Sequence, residues 1–129
     1  MRGKALLGGV AGIMMLAAPA ANGAELAAFK LENSADLAAL CGAAPDAPNF
    51  TDARQFCFGF ISGVSLLYSA VVEAKKIDTV VCTPEKLTRE QIRANFVSWQ
   101  AEHPEFADAG PLDGLFRSAV NRWPCEKQS

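Results

Sequence analysis

The chain has 129 residues, 12 Lys and Arg against 14 Asp and Glu, one histidine and a formal net charge of −2. That length accommodates one domain with a single core. The absence of a Lys/Arg run argues against nucleic acid as a partner.

Arg2 and Lys4 precede an apolar run over residues 5–18, and the small-residue triplets Ala18-Pro19-Ala20 and Ala21-Asn22-Gly23 follow. This is the order of parts in a secretory signal peptide. We expect residues 1–23 to be removed by cleavage after Gly23, with Ala20 as the alternative point. The apolar run is short for an uncleaved membrane anchor. Removing the first 23 of 129 residues leaves 106. Loss of Arg2 and Lys4 brings the basic count from 12 to 10 against 14 acids, a mature net charge of about −4. Four cysteines remain, Cys41, Cys57, Cys82 and Cys125. In an exported chain an even number reads as a disulfide framework. Their wide spacing and the lone histidine do not fit a zinc site.

In residues 24–32, Phe29 and Leu31 alternate with Lys30 and Glu32, as in a short extended arm. Asn33-Ser34 offers a helix N-cap with Asp36 in the first turn. Leu37, Leu40 and Cys41 form its apolar face, and Gly42 suits a C′ glycine. Pro45 and Pro48 mark a loop over residues 43–49.

The next stretch, residues 56–72 (FCFGFISGVSLLYSAVV), is the most apolar of the mature chain. Phe56, Phe60, Ile61, Val64, Tyr68, Val71 and Val72 make one wide helical stripe. A helix is expected from Thr51 or Asp52 to about Ala74, with Lys75 and Lys76 at its C-terminal end. Gly59 and Gly63 each cost about 1 kcal/mol against alanine in a helix. Their use predicts a second helix packed closely there, which makes this the central, nearly enclosed helix. Four breaks, Ser62, Ser65, Tyr68 and Ser69, disfavour a membrane span. Residues 77–83 read as an extended connector closed by Pro84.

Thr88-Arg89-Glu90-Gln91 is a capping box, flanked by a hydrophobic staple of Leu87 and Ile92. Ile92, Phe96 and Trp99 continue that helix, and His103-Pro104 ends it. After a loop over residues 105–110, Pro111 starts the last helix. Leu112, Leu115, Phe116, Ala119, Val120 and Trp123 give a full amphipathic stripe, stopped by Pro124. The expected fold is all-α: a small four- to five-helix domain around a central buried helix, stapled by two disulfides.

Helix lengths separate the three possible cysteine pairings. From Cys57 to Lys75 a helix advances about 27 Å, and the seven residues on to Cys82 reach back at most roughly 25 Å. A Cys57–Cys82 bond would need the connector at its limit. Cys41 and Cys57 lie at facing ends of two helices joined by a short loop. The last two helices return Cys125 to the end where Cys82 sits. The expected bonds are Cys41–Cys57 and Cys82–Cys125.

Those bonds consume every thiol, which leaves no cysteine nucleophile. His103, at a helix end, is expected to cap the last carbonyls. Glu102, Glu105 and Asp108 read as a solvated loop, and Trp99, Phe116 and Trp123 as core. No phosphate-cradling glycine loop or dinucleotide fingerprint is present. The residues point to neither an enzyme nor a cofactor.

Four pieces in order carry a likeness: LAALC at residues 37–41, CFGFISG at 57–63, Cys82-Thr83-Pro84-Glu85 leading to Thr88 and Gln91-Ile92, and Trp123-Pro124-Cys125. With His103-Pro104-Glu105 between them, the chain resembles the Rap/Tai family of immunity proteins from about residue 33 to 125. The resemblance implies a periplasmic helical protein that neutralises a type VI secretion peptidoglycan amidase by occluding its catalytic cleft. The matching residues are mostly cysteines, glycines, caps and core positions, so a general periplasmic protein with a structural, stress or chaperone-like role is the alternative. The expected partner is a protein, with a homodimer as a further possibility, and no membrane contact after signal cleavage. The expected contact surface is the corner with Glu102, Glu105 and Asp108 around Phe106, an aromatic of the type that interface hot spots favour. The competing reading folds Phe106 back onto Phe96 or Leu112.

Overall fold

The computed structural model describes residues 29–126. The expected signal peptide, its cleavage point and the start of the mature arm lie outside the described residues. Four α-helices follow in order: α1, Ser34–Cys41; α2, Phe50–Glu73; α3, Arg89–Glu102; and α4, Pro111–Arg122. A 3₁₀ turn, Pro104–Phe106, lies between α3 and α4. No strand occurs among the described residues, and the only ladder pairing is an isolated antiparallel bridge between Val81 and Pro124.

Local chemistry sets most of the helix starts. The Asn33 side chain accepts the Asp36 N–H at 2.9 Å. The N–H groups of Ser34 and Ala35 donate to the carbonyls of Ala109 (2.7 Å) and Ala107 (3.1 Å). The α3–α4 corner thus satisfies donors that the first turn of α1 leaves free. At α3 both halves of the capping box form: Thr88 Oγ1 accepts the Gln91 N–H at 3.2 Å, and the Thr88 N–H donates to Gln91 Oε1 at 2.8 Å. Pro111 stands at the first position of α4. Helix α2 begins slightly before the expected Thr51 or Asp52 cap, at Phe50, with Asn49 before it and no side-chain cap. Asp52 instead occupies the first turn, where its charge complements the dipole.

Gly42 ends α1 with φ −96°, not in the left-handed conformation expected of a C′ glycine. Close approach explains it: a β-carbon there would stand 2.9 Å from the Ala38 carbonyl oxygen and 3.3 Å from the Val97 side chain. The left-handed residue is Lys75, φ 52°, just past α2.

Leu37, Cys41, Cys57, Ile61, Phe96 and Leu115 form the core, where all the helices meet. Cys41 bonds Cys57 and Cys82 bonds Cys125, the pairing expected from helix lengths. Closing loops of 16 and 43 residues stabilises by about 3 and about 4 kcal/mol in the chain-entropy model. That is comparable to the whole stability of a small domain.

The expectation of a nearly enclosed central helix does not hold. Only Ala53, Cys57 and Ile61 of α2 are buried, and Leu66 and Leu67 are 73% and 61% exposed. Among the described residues nothing lies within 4 Å of a β-carbon placed at Gly59 or Gly63, so none of the described helices packs on those glycines. Length is the reason. At 24 residues α2 is about 36 Å long, whereas α1 has 8 residues and α3 has 14. The C-terminal half of α2 outruns the helices that pack on its first half. By length and composition α2 is apolar enough to cross a membrane, with mean hydropathy 1.6 over a window only 11% buried. Its first half, however, is fastened into the core by Cys57.

Candidate partner-binding surfaces

The corner between α3 and α4 is tightly braced. Phe106 is half-buried and stacks on Trp99, ring centroids 5.5 Å apart. The Arg117 guanidinium covers its other side at 4.7 Å, and Arg117 is itself held by Asp113 at 2.8 Å. Phe106 therefore folds back onto its own domain, as the competing reading had it, though onto Trp99. Glu102, Glu105 and Asp108 are exposed around it. Glu102 accepts a hydrogen bond from Ser98 Oγ at 3.1 Å. Hydrogen bonding to its own backbone N–H, then to His103, lowers the Glu105 carboxyl below the usual carboxylate range.

His103 does not cap carbonyls with its ring, as expected from its position. Its backbone N–H donates to the Gln100 carbonyl at 3.3 Å, while Nδ1 lies 3.1 Å from Glu105 Oε1 and the ring packs 4.8 Å from Trp99. Behind the corner, buried Ser34 Oγ donates to Gln100 Oε1, and Gln100 Nε2 donates to the His103 carbonyl at 3.1 Å. Gly114 of α4 closes over Ser34 with no room for a β-carbon. Nothing local marks this knot, because residues 34, 100 and 114 meet only in the folded chain.

A second surface lies along the free half of α2. On its inner side a cavity of about 600 Å³ opens towards α4, lined by Val64, Leu67, Val71, Ile77, Leu112 and Phe116. A neighbouring cavity of about 450 Å³ is lined by Leu87, Ile92, Ala119 and Trp123 among others, so both staple residues border it. Between the two, the Tyr68 and Phe116 rings meet edge to face, centroids 5.3 Å apart. The Tyr68 hydroxyl accepts the N–H groups of Val80 (2.9 Å) and Val81 (3.1 Å). That tyrosine and the Cys82–Cys125 bond hold the connector across the gap. On the outer side, the open space at Gly59 and Gly63 lies beside the exposed Leu66. The glycine spacing was visible in the sequence, but that the described residues leave it open was not.

A third surface, also missed at the sequence level, joins the N-terminal ends of α2 and α3. Arg54 and Arg89 both pack on the Phe58 ring. Phe50, Arg54 and Phe58 stand four apart in the sequence, which could have shown half of it.

No free cysteine is present, and no group of three His, Cys, Asp or Glu residues is placed to hold a metal among the described residues. Compared with known proteins, the chain matches the family model for Rap1a immunity proteins over residues 33–125. No curated protein and no solved structure matches it.

Proposed function

Because the chain belongs to the Rap1a immunity protein family, we propose that its mature form resides in the periplasm and neutralises a peptidoglycan amidase delivered by type VI secretion. It binds the effector and occludes the catalytic cleft, with no chemistry of its own. The observation that carries this reading is the extent of the family match, which takes in all four helices and both disulfides. Two disulfides suit an oxidising compartment, and a signal peptide ahead of them would deliver the chain there. An acidic mature chain favours association with a basic effector.

The test is a peptidoglycan hydrolysis assay with a type VI secretion cysteine amidase that co-purifies with the protein. Hydrolysis should fall in proportion to the immunity protein added. Undiminished hydrolysis with the protein in excess would sink the reading. Suppression of the aggregation of unrelated unfolded proteins would then favour the general chaperone-like role.

Within this reading the corner with Glu102, Glu105, Phe106 and Asp108 is the proposed effector contact. A rigid, braced projection loses little conformational entropy on binding. Phe106→Ala measures it. Unchanged affinity with lost thermal stability would remove the corner from the interface. Binding weakened tenfold or more, about 1.4 kcal/mol, with stability retained would support it.

The outer face of α2 supports a second copy of the chain as a further partner. Its glycine notch and Leu66 lie on one surface, so a twofold axis can seat each Leu66 in the partner's notch. An exposed apolar face of this kind marks an interaction site. Light scattering should find a dimer that Leu66→Asp, an exposed change, converts to monomer. A monomeric wild-type protein would exclude this contact.

A further inference from the structure

The N-terminal ends of α2 and α3 carry a ladder of alternating rings and guanidinium groups. The Arg54 guanidinium carbon lies 5.5 Å from the centre of the Phe50 ring and 5.3 Å from that of Phe58. Arg89, the first residue of α3, places its own 5.3 Å from the same Phe58 ring. Each distance is within the range of a cation–π contact.

The ladder is anchored to the core from behind. Arg54 Nη2 donates to Glu90 Oε2 at 2.6 Å. Arg93 grips the same carboxylate through Nη2 at 2.6 Å and Nε at 2.9 Å. The remaining nitrogen of Arg93 donates to the Cys41 carbonyl at 2.8 Å, beside the buried disulfide. Arg54 is therefore fixed before any partner arrives, so it has little side-chain freedom left to lose on binding.

Its charges do not balance. Arg54 and Arg93 share the one carboxylate of Glu90. Arg89 is exposed and, among the described residues, has neither an ion pair nor a hydrogen bond. A guanidinium seated on an aromatic ring with its donors free is shaped for two-point recognition of a carboxylate. Arginine and aromatic side chains together are also the composition of interface hot spots.

We propose that the Phe58–Arg89 end of this ladder is an interaction surface for a carboxylate-bearing segment of a protein partner. Arg89 takes the carboxylate through two parallel N–H donors, and Phe58 packs against the adjoining apolar side chain. Arg54 adds a second positive charge behind the ring. The proposal rests on the reading that this chain works by binding a protein, but it uses none of the corner residues. Arg89 and Glu102 are the two ends of α3, about 20 Å apart.

The test needs no effector. The mature protein, isotopically labelled, is titrated with an acetylated tripeptide in which two glutamates flank a phenylalanine. The expected result is saturable shifts of the Arg89 and Arg54 Nε–H signals. Arg89→Met, which keeps an apolar stem on Phe58 but loses the charge, should weaken binding about fivefold or more. Arg122→Met, exposed at the end of α4, should leave it unchanged. A melting midpoint equal to wild type in Arg89→Met excludes misfolding as the cause. Absence of saturation, equal affinity in Arg89→Met, shifts centred on Lys75 and Lys76, or equal competition by inorganic phosphate would each overturn the proposal. Because no amidase is present, such a failure removes this surface and leaves the immunity reading to its own hydrolysis assay.

Discussion

Gly114→Ala adds one methyl group and should cost this domain a large part of its stability. The added carbon would overlap the Ser34 side chain, 2.6 Å from its β-carbon, and would stand 3.6 Å from Gln100 Oε1. Ser34 cannot move aside freely. It is fully buried, its hydroxyl donates to Gln100, and its N–H is bonded to Ala109 at 2.7 Å. Overpacking of this kind costs about 1–3 kcal/mol. Breaking the buried Ser34–Gln100 hydrogen bond adds about 1–3 kcal/mol. Helix propensity returns about 1 kcal/mol in favour of alanine, so the net loss is about 3 kcal/mol. Each kilocalorie moves the midpoint of a domain this size by about 4–8 °C, so melting followed by far-ultraviolet circular dichroism should show a fall of roughly 12–24 °C. Gly59→Ala and Gly63→Ala are the controls: the same chemistry in a helix with open space around it should raise stability by up to about 1 kcal/mol each. Ser34→Gly combined with Gly114→Ala should recover part of the loss. A Gly114→Ala midpoint at or above wild type would refute the close α1–α4 contact.

Glu90 predicts an acid limb to stability. Hydrogen bonding from Arg93, then the charges of Arg93 and Arg54, holds its carboxyl below the usual range. A carboxyl depressed in the folded state stabilises above its unfolded value, near 4.3, and that contribution is lost as pH falls through the folded value. Glu90→Gln should therefore be less stable than wild type at neutral pH, by under about 1 kcal/mol for so exposed a network, and the gap should close below about pH 4. A constant gap across acid titration would show that the network contributes nothing through charge. The disulfides differ in access: Cys41 and Cys57 are 1% and 0% exposed, whereas Cys82 is exposed and Cys125 half-buried. Mild reduction followed by alkylation and peptide mapping should label Cys82 and Cys125 first. Earlier labelling of Cys41 or Cys57 would mean that the core opens before the connector.

What the sequence showed was what its neighbours in the chain determine. The capping box at Thr88 and the proline at the start of α4 depend on residues within one turn. The disulfide pairing followed from helix lengths alone. The enclosure of α2 failed because hydropathy records that a face is apolar and not what lies against it. Gly59 and Gly63 have the spacing of a packing notch, and none of the described helices fills it. Gly114, which does carry a close contact, has no such spacing, since its partner Ser34 is 80 positions away. Phe106 was legible as an aromatic at a corner, but its stacking on Trp99 depends on how the chain turns at Pro104.

The two ends of α3 bear on how a partner would be oriented. Arg89 stands at the positive end of the helix dipole and Glu102 at its negative end. Each sign is the unfavourable one, costing about 0.3–1 kcal/mol at an exposed site. Stability of α3 therefore does not account for these charges. Arg89 recovers part of its cost on the Phe58 ring, and Glu102 recovers part through Ser98, but both remain exposed to water. Most of the residues that carry the family likeness do other work: Leu37, Cys41 and Cys57 fill the core, Thr88 and Gln91 cap a helix, and Pro124 pairs with Val81. Phe58 and Glu105 are the exceptions, since both also lie on the proposed partner surfaces. A cationic ladder and an acidic corner at opposite ends of one rigid helix would dock a complementary partner in one direction and reject the reverse, because the reversed pairing sets like charges against each other.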